Sequence, residues 1–263
     1  CGTTAFNQPI CDWDVSNVTN MGNMFWGATA FNQHICNWDV STVTNMGDMF
    51  FEATAFNQPI GSWNVSNVEN MEGMFNEAKN FNQPIGNWNV SNVTSMRDMF
   101  NAAKAFNQPI GGWDVSKVKN MDGMFMNAIT FNQAIGDWNV SSVINMELMF
   151  YKAKAFNKPI GNWNVSNVTN MDAMFYKAEA FNQHIGDWDV SKVPIMTDMF
   201  NNSGYKLKEP NVERSKQRIQ DKQNLDNLHK DVVSKKLNMS DPTRKVLSFK
   251  PGQGPGIKYI ERF

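Results

Sequence analysis

Apolar and polar positions recur along this chain at a strict 25-residue step. With Phe6 as column 1, the apolar columns are 1 (Phe), 5 (Ile), 8 (Trp), 10 and 13 (Val), 16 and 19 (Met), 20 (Phe) and 23 (Ala). Trp13, Trp38, Trp63, Trp88, Trp113, Trp138, Trp163 and Trp188 mark the step without one insertion, and eight copies fill Phe6 to Tyr205. A constant period of this size predicts stacked units, each burying its apolar face on its neighbours.

Columns 16, 19, 20 and 23, for example Met96, Met99, Phe100 and Ala103, are spaced i, i+3, i+4, i+7. That spacing predicts a two-turn helix with one inward face. Asn at column 15 (Asn20, Asn45, Asn70, Asn120, Asn145, Asn170) suits an N-cap, with Asp48, Glu72, Asp122 and Asp172 in the first turn. Trp88-Asn89-Val90-Ser91, at columns 8–11, alternates large apolar with small polar residues and predicts a strand. Pro9, Pro59, Pro84, Pro109 and Pro159 at column 4 lead into it. The expected fold is an α/β repeat solenoid of eight turns, each a short parallel strand plus a short helix. At about 4.8 Å per ladder step it would be a rod on the order of 40 Å long.

Two polar columns do not vary. Column 2 is Asn7, Asn32, Asn57, Asn82, Asn107, Asn132, Asn157 and Asn182; column 11 is Ser in every copy, Ser16 through Ser191. A wound chain turns corners with peptide groups facing inward, and an amide side chain can both donate to them and accept from them. Column 2 is therefore expected to be a structural ladder, with a repeated ligand site as the alternative.

The pattern F-N-Q-x-I-x-x-W-[DN]-V-S-x-V-x-x-M-x-x-M-F-x-x-A resembles the BspA-like leucine-rich-repeat family, in its 25-residue form of the mycoplasma surface lipoprotein type. The resemblance covers Ala5 to about Tyr205. It implies a right-handed leucine-rich-repeat-like stack on cell-surface or secreted proteins, used for adhesion or protein contact, and it carries no catalytic residues over. The last copy departs from the pattern at Pro194, Ile195, Ser203 and Gly204, which is expected to end the stack. CGTTAF at the start aligns with WGATAF of Trp26–Phe31, so the chain begins in mid-repeat and is expected to be part of a longer product. A lipid anchor on Cys1 is the less favoured reading, because the repeat starts at once.

Charge separates the repeats from the C-terminal segment. Residues 1–205 hold 10 Lys+Arg against 18 Asp+Glu, and residues 206–263 hold 14 against 7, so −8 faces +7. Residues 206–239 begin with Glu209-Pro210-Asn211 and then lack Gly and Pro; Val212, Ile219, Leu225, Leu228, Val232 and Leu237 form an incomplete apolar stripe, so a helical linker is expected. Residues 240–263 carry Pro and Gly and end in apolar anchors among basic residues. Phe249, Ile257, Lys258, Tyr259, Ile260, Arg262 and Phe263 are the candidate docking residues of an extended basic tail. The expected partner is a protein, with an acidic surface on another subunit. Nucleic acid is the weaker reading, since seven acids interleave and few aromatics could stack on bases. No apolar run is long enough to span a membrane as a helix.

Candidate chemistry is sparse. His34 and His184 share column 4 six turns apart, roughly 29 Å at the ladder spacing, and His229 lies beyond the repeats. Columns 7 and 9 are rich in Asx (Asp12, Asp14, Asp137, Asn139, Asp187, Asp189), which invites calcium. Their carboxylates drift to Ser62, Gly112, Asn64, Asn89 and Asn164, which favours turn-forming Asx. Cys11 and Cys36 share column 6 in adjacent turns, within the Cα range of a disulfide; a bridge and a pair of buried thiols are equally open. Sixteen of the eighteen Met occupy the two inward columns and are expected in the core. Column 21 (Trp26, Phe51, Asn76, Asn101, Met126, Tyr151, Tyr176, Asn201) is a candidate contact ridge, with partial burial the competing reading. The expectation is a non-enzymatic structural or protein-contact module without cofactor, metal or small-molecule substrate. A place in a large assembly, a virion or surface layer, is favoured over a cell-surface adhesin. A glycan-binding protein ranks third.

Overall fold

A two-turn helix over columns 16–23 needs the N–H groups of its second turn to bond four residues back. The computed structural model, which describes residues 4–194 and 196–237, sends those groups elsewhere. Even columns donate to the next turn: Met21 N–H to Asn45 C=O (2.9 Å), Asn23 to Gly47 (2.9 Å), Phe25 to Met49 (2.9 Å) and Gly27 to Phe51 (2.8 Å). Odd columns donate three residues back: Met24 to Met21 (3.2 Å), Trp26 to Asn23 (3.2 Å) and Ala28 to Phe25 (3.0 Å). The expected helix is thus replaced by a run of tight turns zipped to the copy above.

The cause lies in the backbone. All eight residues of column 18 and all eight of column 22 have positive φ, between 49° and 66°. Asn23, Asp48, Gly73, Asp98 and Gly123 are residue types that tolerate this region; Leu148, Ala173 and Lys177 adopt it at a strain cost of about 1–2 kcal/mol each. Two left-handed residues in eight forbid a helix. They also turn alternate N–H groups along the stacking direction.

The expected strand is displaced as well. Parallel bridges join Asn20 to Asn45 and continue through Asn70, Ser95, Asn120 and Asn145 to Asn170, all at column 15 rather than at columns 8–11. Around the Trp column the inter-turn bond is made by a side chain. Trp38 Nε1–H donates to the Ile10 carbonyl of the preceding turn (3.1 Å), and the same bond recurs down to Trp188 and Ile160 (3.3 Å).

Inside, the apolar columns stack into continuous files. Phe50 and Phe56 lie face to face at 4.0 Å, and each repeats above itself, Phe50 to Phe75 at 5.7 Å and Phe56 to Phe81 at 6.0 Å. Met46, Met49, Phe50, Phe56 and their equivalents in the inner turns are fully buried, whereas Phe6, Met24, Met196 and Phe200 at the ends are partly buried. Burial of each such side chain stabilises by about 1.5–3 kcal/mol.

The last turn is covered by its own final residue and by the chain that follows the repeats. The Tyr205 ring stacks on Phe200 (4.3 Å) and Phe181 (6.0 Å), and Pro210 is buried. Helix α1, Val212–Leu237, starts on an Asn211 cap whose Oδ1 accepts from Arg214 N–H (2.9 Å), with Glu213 in its first turn. Ser215 of α1, itself buried, accepts from Val190 N–H and donates to the Trp188 carbonyl, both at 3.2 Å. Backbone groups of the last turn are therefore satisfied by a helix side chain. The chain divides after Arg218. The second unit, from Ile219, contains the remainder of α1, where Leu225 is exposed.

Candidate functional site

The invariant polar columns are consumed inside the stack. Asn7 Oδ1 accepts from Asn32 N–H one turn on (3.0 Å), and the bond repeats through Asn57, Asn82, Asn107, Asn132 and Asn157 to Asn182, which accepts from Lys206. Where column 3 is Gln, its amide reaches back to the same Asn; Gln133 Nε2 donates to Asn107 Oδ1 (3.0 Å) and to its carbonyl (2.8 Å). The Ser of column 11 is held by the Asx of column 9, Ser116 N–H donating to Asp114 Oδ1 at 3.0 Å. All eight column-9 residues, Asp or Asn, make this bond, for which either side chain serves. In Asp14, Asp39 and Asp114 the bonds from Ser hold the carboxyl below its ordinary pKa.

Column 21 forms two aromatic clusters. Trp26, 43% exposed, meets Phe51 edge-on at 5.2 Å. Tyr151 and Tyr176 stack at 4.9 Å, half-buried, with Lys152 and Lys177 ammonium groups 4.8 and 5.2 Å from the ring centres. Half-buried Asn76, Asn101 and Met126 separate the two pairs. Partial burial describes this column, apart from the exposed Trp26 and Asn201. The rings pack along the stack and keep part of their surface in solvent.

One cluster escaped sequence reasoning. Asp48, Glu72, Asp98, Asp122 and Glu147, at columns 17 and 18, form a chain of neighbouring acids in which Asp98 and Asp122 flank Arg97. Its Nε lies 3.3 Å from Asp122 Oδ2 and 3.5 Å from Asp98 Oδ2. Gly73 and Gly123 leave room for the carboxylates of the turn before: a Cβ on Gly73 would fall 2.0 Å from Asp48 Oδ1, and one on Gly123 2.3 Å from Asp98 Oδ1. Burial first, then the charges of Asp98 and Glu147, push Asp122 up to about 6 against the weaker pull of Arg97. Burial likewise raises Asp98 and, with Glu72, Asp48. Acids expected to favour a helix N-terminus thus crowd one another, because there is no helix. The Asp–Gly alternation of column 18, Asp48, Gly73, Asp98, Gly123, was the signal that could have revealed it.

The remaining candidates are dispersed. His34 and His184 are exposed, and His184 Nε2 lies 3.7 Å from Asp187 Oδ2 on the rim of an open groove of about 600 Å³. Gln183, Pro159, Gly161 and Asp137 are among the residues that line that groove. Cys11 and Cys36 are half-buried free thiols. Among the described residues no three His, Cys, Asp or Glu side chains are arranged to hold a metal ion, and no helix is long and apolar enough to cross a membrane. Phe249, Ile257, Lys258, Tyr259, Ile260, Arg262 and Phe263 lie outside the described residues, as does the side chain of His229.

A family model described as a Mycoplasma protein of unknown function, DUF285, matches residues 1–113 and again residues 103–213. The chain belongs to this family. The two matches together span the DUF285 repeats and reach the start of α1. No curated protein matches the chain significantly.

Proposed function

We propose that this DUF285 chain is a non-enzymatic protein-contact module whose repeats form a solenoid scaffold. The observation that carries the reading is column 21. Periodic polar groups of columns 2, 9 and 11 are engaged within the stack, whereas the Trp26–Phe51 and Tyr151–Tyr176 pairs are apolar and keep part of their surface in water. Large, rigid aromatic rings are what interface anchors are made of. The finer assignment is to the BspA-like leucine-rich-repeat type, supported by the repeat pattern and by the mycoplasma family. A place in a large assembly, a virion or surface layer, is the leading setting. The net charge of +7 in residues 206–263 supports docking of residues 240–263 on an acidic subunit surface. A cell-surface adhesin, which the resemblance to BspA-like repeats implies, is the second reading.

Co-sedimentation of the full chain with its parent assembly tests this. Replacing Trp26, Phe51, Tyr151 and Tyr176 by Ser is expected to weaken incorporation at least tenfold while the melting temperature stays within a few degrees. Truncation after Met239 should leave the repeats folded and abolish incorporation, and raised salt should weaken the intact contact. Normal incorporation of the ridge variant removes the ridge from the reading. Normal incorporation of the truncated chain removes the tail.

A further inference from the structure

Column 6 is glycine at Gly61, Gly86, Gly111, Gly136, Gly161 and Gly186. At each of them an added Cβ would fall 2.3–2.5 Å from a carbonyl oxygen of the next turn, or, at Gly186, of Lys208. That is closer than any Cβ is tolerated, so a side chain there forces backbone to shift. The two departures from glycine, Cys11 and Cys36, are both cysteine and occupy adjacent turns. Nothing in the packing asks for a thiol at either position.

Bonds on both sides hold these two turns in register. Asn32 N–H meets Asn7 Oδ1 at 3.0 Å on one side of the pair, and Trp38 Nε1–H meets the carbonyl of Ile10, the residue before Cys11, at 3.1 Å. The Trp13 and Trp38 rings stack at 6.4 Å and 7° just beyond. Column-6 Cα atoms are therefore one ladder step apart, about 4.8 Å, inside the roughly 4.4–6.8 Å that a disulfide accepts. Both cysteines are half-buried residues, and each sulfur meets the Asx that comes next in the chain, Cys11 Sγ to Asp12 Oδ1 at 3.5 Å and Cys36 Sγ to Asn37 Oδ1 at 3.6 Å. Neither contact is strong.

We propose that Cys11 and Cys36 form a reversible inter-turn disulfide, a thiol–disulfide exchange site that clasps two consecutive turns when a low-molecular-weight disulfide such as oxidised glutathione is present. One cysteine thiolate attacks the oxidant and expels one glutathione thiolate. The other cysteine thiolate attacks the protein sulfur of the mixed disulfide and expels the second. One S–S bond in the protein replaces one in the oxidant. Two electrons leave the protein, and the two thiol protons end on the two released glutathiones. The clasp closes a loop of one repeat, which restrains the unfolded chain and stabilises the folded one.

The test uses the full chain carrying Cys1→Ser, incubated with oxidised glutathione, then denatured and alkylated. The expected product is monomeric, lighter than the reduced chain by about 2 Da, and unalkylated. Cyanogen bromide cuts after Met21, Met24 and Met46, so the fragments bearing Cys11 and Cys36 should stay joined until reduced. The oxidised chain should melt several degrees above the reduced one, and Cys36→Ser should abolish that rise. Glutathione retained on either cysteine, alkylation of both, or a disulfide-linked dimer would each overturn the proposal. The mass readout is taken on a chain without a Cys11 or Cys36 substitution, so misfolding of the Ser variant cannot obscure it.

Discussion

The two sides of each repeat solve one problem in opposite ways. At columns 14–22 the inter-turn bonds run from backbone to backbone, Met96 N–H to Asn120 C=O and Asp98 to Asp122 among them. Across columns 2–8 they run through side chains, Asn107 Oδ1 taking Asn132 N–H and Trp113 Nε1–H reaching Ile85 C=O. The sequence varies accordingly. Column 17 passes through Gly47, Glu72, Arg97 and Asp122, whereas columns 2 and 8 are Asn and Trp in all eight copies. A backbone ladder accepts almost any side chain; a ladder made by a side chain fixes its identity.

Breaking the side-chain arc should have the largest effect. Trp113→Ala removes a buried ring and one of the two bonds to the Ile85 carbonyl, which Trp88 N–H still reaches, and is expected to cost about 3–5 kcal/mol in denaturant unfolding. Asn107→Ala strands Asn132 N–H, leaves the Gln133 amide only the backbone carbonyl of residue 107, and should cost about 1–3 kcal/mol. Met126→Ala, half-buried on the other arc, should stay within about 1 kcal/mol. Equal losses at Asn107 and Met126 would erase the contrast. An unchanged melting temperature with lost binding would instead make column 2 a ligand site.

The backbone arc can be sharpened by pH. Asp122 is raised in the folded chain from 3.8 to about 6, so between those values the folded state holds the proton that the unfolded state has released. Stability therefore falls as pH rises through that window, and the penalty is complete above it. Asp122→Asn should raise the unfolding free energy at pH 7 by about 1 kcal/mol once solvent screening is allowed for, and the gain should vanish near pH 4. A gain that persists at pH 4 would assign the effect to packing instead.

The smallest expected effect is that of chelator. The column-9 side chains accept from Ser N–H whether they are Asp114 or Asn139. Chelator should leave the melting temperature unchanged, and a loss of several degrees that calcium restores would show that a cation holds the Asx columns.

The 25-residue period, the inward columns and the invariant polar columns were legible in the amino-acid order alone, since they reflect which side chains must leave water and which peptide groups need partners. Phe50, Phe56 and Met49 are buried, as their spacing requires. The backbone was not legible in the same way. The i, i+3, i+4, i+7 spacing of Met96, Met99, Phe100 and Ala103 states which side chains face inward, and a run of turns meets that condition as well as a helix does. Whether an N–H bonds within its own segment or to the copy above depends on a chain 25 residues away. Local periodicity carries no information about that partner. The left-handed columns 18 and 22 were partly visible in Asn23, Asp48 and Gly73, but Leu148 and Lys177 adopt the same φ only because stacked neighbours impose it. The acid cluster around Arg97 has the same origin. Its acids are 24 to 26 residues from their nearest acidic counterparts, and only the stack brings their charges together.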